Sequence, residues 1–187
     1  MRKYLVMLFT LCNLAIFGCT HSPLVTGKWK GNTFTNEWTD ITFEQPHGFH
    51  VLRPESMRLS GWVQDFMIKN EVDSTVISLK YTDISHKNFV NYTAEDYVSK
   101  IIQKSLLNST SRNFTFSDSF ERKTIAGREF AVMRGAYTYK DNPSAGASYD
   151  IYAWRYVRTM VVFIAVYGEG EGDAVDSFLS SISQTGH

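Results

Sequence analysis

Apolar and polar positions fall into two periodicities along this chain, and they predict its elements in order. From Lys28 the aromatic and branched positions Trp29, Phe34, Trp38, Ile41 and Phe43 space out as short strands, with Asn36-Glu37 as the turn between two of them. Pro46-His47-Gly48 ends that run. Pro54-Glu55-Ser56 followed by Met57, Leu59 and Trp62 predicts a short helix ending near Gly61. Residues 65–69 and 75–81 predict a hairpin across 72–74; in its second arm Ile77, Leu79 and Tyr81 share one face, and Val76, Ser78 and Lys80 the other.

The period then changes. Ala94, Tyr97, Val98, Ile101, Ile102 and Leu106 repeat at helical spacing behind Thr93, a capping residue, with Glu95 and Asp96 in the positive first turn. Residues 114–125, 128–139 and 148–167 return to strand spacing and predict four consecutive antiparallel strands. Ala126-Gly127 turns the first pair, 141–146 loops to the third, and Arg158-Thr159 turns the last. The run Val161-Val162-Phe163-Ile164-Ala165-Val166-Tyr167 is apolar on both faces, which predicts a central strand with helical cover on each side. Val175, Phe178, Leu179 and Ile182 then recur at i, i+3, i+4 and i+7, a closing helix for which Asp173 or Asp176 is the predicted cap.

The first residues follow a different logic. Met1-Arg2-Lys3 is a positive start, and the next fourteen residues are apolar apart from Thr10 and Asn13, which is signal-peptide anatomy. A helix of that length spans roughly 20 Å, short of the ~30 Å hydrocarbon core. Ile16-Phe17-Gly18-Cys19 resembles the lipobox of bacterial lipoproteins: Ile16, Gly18 and Cys19 match it, and Phe17 stands where a small residue is usual. The expected organisation is a signal peptide over 1–18, a lipidated Cys19 with a short tether over 19–27, and one domain over 28–187. The resemblance implies a diacylglyceryl group and an N-acyl chain such as palmitate on Cys19, the multiple chains that stable anchoring requires. Cys12 and Cys19 are the only cysteines, so loss of the signal leaves Cys19 without a disulfide partner, as a lipidated cysteine would be.

Composition narrows the function. The chain carries 19 basic and 19 acidic residues, and losing Arg2 and Lys3 with the signal tips the balance to the acidic side, which excludes bulk electrostatic binding of nucleic acid. Thirteen Phe, ten Tyr and four Trp supply one core without disulfides. No nucleophile elbow, Walker loop or dinucleotide fingerprint occurs, and Gly168-Glu169-Gly170-Glu171-Gly172 puts acids where a phosphate would sit. His47 and His50 are weak metal candidates because a site needs three or four ligands. They also mark where the alternative function, an envelope hydrolase or metal-binding protein, would have its pocket. No cofactor or nucleotide is expected.

A row of aromatics is the candidate surface for a ligand or partner. Tyr152, Trp154 and Tyr156 share a strand face, Tyr137 and Tyr139 are placed beside them on the preceding strand, and Arg134 and Arg155 are near enough to orient what stacks there. The competing reading is that these rings are core.

The element order resembles the PsbP-like fold. The residues that carry the likeness are Phe34-Thr35-Asn36 with 41–46, Thr93-Ala94-Glu95-Asp96-Tyr97, Thr124-Ile125-Ala126-Gly127-Arg128-Glu129-Phe130, and the 152–167 hairpin before a closing helix. That fold is shared by the extrinsic PsbP protein of the photosynthetic oxygen-evolving complex, a yeast Ran-binding import factor and many small bacterial lipoproteins. The resemblance spans 28–183. It implies an α+β fold, an α/β/α sandwich whose central antiparallel sheet is flanked by helices. It also implies a non-enzymatic binding or accessory module with no shared catalytic residues. The resulting expectation is an exported protein of the bacterial cell envelope, held to a membrane by lipid at Cys19 and serving another envelope protein or an extracellular ligand.

Overall fold

In a computed structural model that describes residues 27–52, 66–72, 75–168 and 170–185, alternating side chains divide a large antiparallel sheet into two buried faces. The helix expected after Pro54 lies outside the described residues, as do Cys12 and Cys19. The large sheet holds β4 (Phe49–Val51), β5 (Phe66–Asn70), β6 (Val76–Asp83), β7 (Arg112–Phe116), β8 (Glu121–Ile125), β9 (Arg128–Tyr139), β10 (Gly146–Tyr156) and β11 (Thr159–Tyr167). Its order is β4-β5-β6-β11-β10-β9-β7, with β8 pairing β9 beside β7. The run expected as one strand over 114–125 is thus two strands, both laid along the twelve-residue β9. The doubly apolar β11 is central, between β6 and β10, and buried on both faces as its composition predicts.

On the first face lie Phe66, Ile68, Ile77, Leu79, Phe130, Val132, Tyr152, Val161 and Phe163. They are roofed by a second sheet of three short strands, β1 (Lys28–Lys30), β2 (Thr33–Asn36) and β3 (Ile41–Glu44). Beside it lies a helix, α2 (Gly172–Ser181), which buries Val175, Phe178 and Leu179. Phe34, Phe43 and Phe178 descend from this roof onto Phe66, with ring centroids 4.9, 5.0 and 6.3 Å away. After α2 the chain returns along β3, where Thr42 and Ser183 exchange backbone bonds of 3.0 and 2.9 Å.

The other face is covered by α1, which begins as an α-helix at Ala94–Tyr97, widens to π-helical turns over Val98–Gln103 and closes at Lys104–Leu107. Thr93 caps it as expected. Its hydroxyl accepts from Asp96 N at 3.1 Å, and the Asp96 carboxylate accepts from Thr93 N at 3.2 Å, a reciprocal capping box. Tyr97, Val98 and Ile102 of α1 pack on Met133, Ile151, Ala153, Met160 and Val162.

The architecture corrects the expected α/β/α sandwich. The fold is β-rich, and among the described residues a second sheet shares the first face with one helix, α2. The reason lies in β1 to β3, whose three to four residues each supply one ring, Trp29, Phe34 and Phe43; that aromatic bulk completes the roof beside α2. The sequence reading also merges β1 and β2, which the Gly31-Asn32 turn separates, Gly31 adopting φ +59°. Two smaller corrections follow the same logic. The last hairpin turns at Val157-Arg158 with Thr159 already paired, and neither Asp173 nor Asp176 caps α2, which starts behind Glu171 without a side-chain cap.

Candidate functional site

Strand parity decides what the aromatic row can be. On β10 the even positions Asp150, Tyr152, Trp154 and Tyr156 face the small sheet, whereas Tyr149, Ile151 and Ala153 face α1. Across to β9 the register pairs Tyr152 with Val132 and Ala147 with Tyr137. Tyr137 and Tyr139 therefore stand on the opposite face, with the Arg112 guanidinium 4.7 and 5.4 Å from their ring centres. The expected single row does not exist, because a one-residue difference in register exchanges the two faces of a strand.

The remaining three rings also divide. Tyr152 is core at 2% exposure, and its hydroxyl donates to Asp150 Oδ2 at 2.8 Å. Asp150 is 5% exposed and accepts a second bond on Oδ1 from the Tyr167 hydroxyl at 3.1 Å. Two phenols thus solvate a carboxylate that water no longer reaches. Arg134 is Asp150's register partner on β9; it is exposed and pairs with Glu121 at 3.2 Å. Burial, and then the Asp150 charge, push the Tyr167 phenol up to about 12. Tyr152 rises by the same causes in the same order.

A folded-state pKa above the free phenol's contributes stability that is complete below pH ~10 and lost as pH rises toward the folded value. Unfolding midpoints in urea should therefore fall between pH 10 and 12, and Tyr167→Phe should flatten that fall. A parallel loss in wild type and variant would show that Tyr167 does not carry it.

Trp154 and Tyr156 lie at the other end of β10, half-buried and in contact with one another at 5.2 Å. The Arg128 guanidinium covers Trp154 at 4.9 Å. It also reaches the β2–β3 turn, donating to Asp40 Oδ2 at 2.9 Å and to the Asp40 carbonyl at 3.2 Å. A hydrogen bond from Thr185, foremost, and the Arg128 guanidinium hold the Asp40 carboxyl below the usual range. The turn is further fixed by Thr39 N donating to Asn36 Oδ1 at 3.0 Å and by the Thr39 and Tyr81 hydroxyls at 3.1 Å. So held, it sets Trp38 edge-on to Tyr156 at 5.7 Å, with Trp38 44% exposed. Val157, the next residue after Tyr156, is 63% exposed.

Arg155 has a different task. Its guanidinium donates to the carbonyls of Val90, Tyr92 and Val157 at 2.8, 3.1 and 3.2 Å, so it fastens the segment before α1. His47 is exposed in the turn after Pro46, and His50 on β4 faces Glu71 at 3.5 Å. Among the described residues no group of three or more His, Cys, Asp or Glu is placed to hold a metal. Trp38, Arg128, Asp150 and Tyr167 were not singled out from sequence. Asp150 carried a legible signal, an acid at an inward position of an apolar strand. Trp38 and Arg128 carried none, since their roles depend on contacts between distant segments.

These features sit on a PsbP-like fold. The chain is similar to the solution structure of cyanobacterial PsbP (CyanoP) from Synechocystis sp. PCC 6803, with a TM-score of 0.56 and 13% identity over 89% of this chain and 97% of that one. It is also similar to a crystal structure from Bacteroides thetaiotaomicron VPI-5482, with a TM-score of 0.50 and 9% identity over 85% of this chain and 50% of that one, so it spans half that protein's length. At such identities the likeness is one of fold. No family model matches the chain, and no curated protein does.

Proposed function

We propose that this protein is an exported, lipid-anchored lipoprotein of the bacterial cell envelope whose PsbP-like domain works without turnover, as a binding or accessory module for another envelope protein or an extracellular ligand. The observation that carries the reading is the aromatic end of the domain. Trp38 and Tyr156 meet there and Val157 follows Tyr156 in the chain, with Trp38 and Val157 open to solvent. By contrast the polar groups nearest to them serve the fold: Arg128 on Asp40 and Trp154, Arg155 on backbone carbonyls. An exposed aromatic cluster over satisfied polar groups suits contact better than chemistry. Support for the anchor comes from the sequence, through the positive start, the short apolar run and Cys19. Among the described residues no helix is long and apolar enough to cross a membrane.

The test is fractionation of the full chain in a bacterial host, with mass spectrometry of the amino-terminal peptide. Cys19→Ser should move the protein from the membrane to the soluble fraction and abolish the acyl mass on the peptide. Unchanged fractionation, or a wild-type peptide without acyl chains, would overturn the anchor.

A further inference from the structure

We infer that the aromatic end is a membrane-facing foot, with Trp38, Tyr156 and Val157 bedding into the headgroup region of the bilayer that holds the lipid anchor. The inference rests on the anchoring proposed above and deepens it by naming what the exposed aromatic end touches.

Three observations converge on it. The first is where the chain joins the domain. β1 runs antiparallel to β2 with Lys28 opposite Thr35, so the start of β1 lies beside the end of β2 and hence beside the turn that carries Trp38. Between Cys19 and Gly27 stand seven residues, which reach at most roughly 25 Å even when fully extended. A domain tied that closely turns the end bearing the tether toward the lipid.

The second is the chemistry of that end. Trp and Tyr carry an apolar ring with a polar edge and are enriched at membrane–water interfaces for that reason. Here the exposed Trp38 and the half-buried Tyr156 meet edge to face at 5.7 Å, and Val157, 63% exposed, follows Tyr156 in the hairpin turn. Lys28 and Arg158 are exposed nearby, opposed by Glu37, while Arg128 and Asp40 neutralise each other. The foot therefore holds to lipid by its apolar rings rather than by charge.

The third is Val157 itself. It turns the β10–β11 hairpin at φ +51°, a left-handed conformation that strains a β-branched residue and that glycine takes freely. In the free domain a valine there adds strain and places an apolar side chain in water. Contact with an apolar medium is what gives that side chain a use, and the inference runs from the observed outlier to the role.

The experiment uses the full lipidated protein in phosphatidylcholine vesicles whose acyl chains carry bromine close to the headgroup, which quenches tryptophan fluorescence at short range. We expect quenching in the wild type that falls at least twofold in Trp38→Phe and is retained in Trp154→Phe. It should be unchanged when anionic lipid or salt is added. Val157→Gly separates the foot from folding: it should reduce quenching at Trp38 while leaving the melting temperature equal or higher. Acylated Cys19 with quenching that ignores Trp38→Phe and Val157→Gly would overturn the foot and leave the anchor intact. An unacylated Cys19 would overturn the anchor, and the foot with it.

Discussion

Phe66→Ala should destabilise the domain by about 3–5 kcal/mol, the range for truncating a buried phenylalanine in a core that cannot collapse around the gap. The position justifies the upper part of that range. Phe66 is 1% exposed, and five rings surround it: Trp29, Phe34, Phe43, Phe163 and Phe178, at 6.1, 4.9, 5.0, 6.4 and 6.3 Å. They come from the small sheet, from β11 and from α2, so one truncation loosens the large sheet from both parts of its roof. Chemical denaturation of the full chain and of the variant, fitted with a common slope, gives the difference directly. A loss under about 1 kcal/mol would mean that the roof relaxes onto the gap, and that the three parts are not coupled through this ring.

Gly135→Ala should cost about 2–3 kcal/mol through crowding instead of a void, toward the top of the range for overpacking. An added Cβ would lie 2.3 Å from the Thr115 carbonyl oxygen and 2.3 Å from the Tyr149 hydroxyl. Tyr149 is register partner to Gly135, and its hydroxyl donates to that same carbonyl at 2.7 Å, so the methyl would displace the ring and break the bond together. Backbone on one side and a buried ring on the other leave little to give. A double variant distinguishes crowding from lost backbone freedom. In Tyr149→Ala the obstructing ring is gone and only the Thr115 carbonyl still crowds the added methyl, so Gly135→Ala should cost measurably less there; an equal cost in both backgrounds would refute the crowding account.

How far the sequence spoke depended on whether a feature was local. α1 was legible because its apolar stripe and its Thr93–Asp96 cap lie within one short segment, and β11 because seven successive apolar residues have one simple explanation in a sheet. The PsbP-like element order is local in the same sense, and the structural likeness to CyanoP agrees with it. The expected sandwich failed on β1 to β3, strands too short to declare that they would form a sheet of their own over Phe66.

The aromatic row divides between the two faces for a subtler reason. Whether Tyr137 lies beside Tyr152 or behind the sheet depends on the register imposed by the loop from Lys140 to Ala145, where Tyr139 N bonds the Ala145 carbonyl at 3.0 Å. Composition does not encode that count. Trp38 meets Tyr156 through a turn held by contacts between distant segments, Arg128 to Asp40 across 88 residues and Thr39 to Tyr81 across 42.

The outer margins of the large sheet bear on what happens when many copies of the domain are brought close together. At one margin β4 has three residues, and at the other β7 and β8 have five each, interrupted by residues 117–120 and carrying Arg112, Arg122 and Lys123. A long bare strand would template its neighbour, and crowding raises the local concentration at which that happens. Short, broken and charged margins deny such a template, so the β-rich domain can be crowded on a surface without growing into fibres.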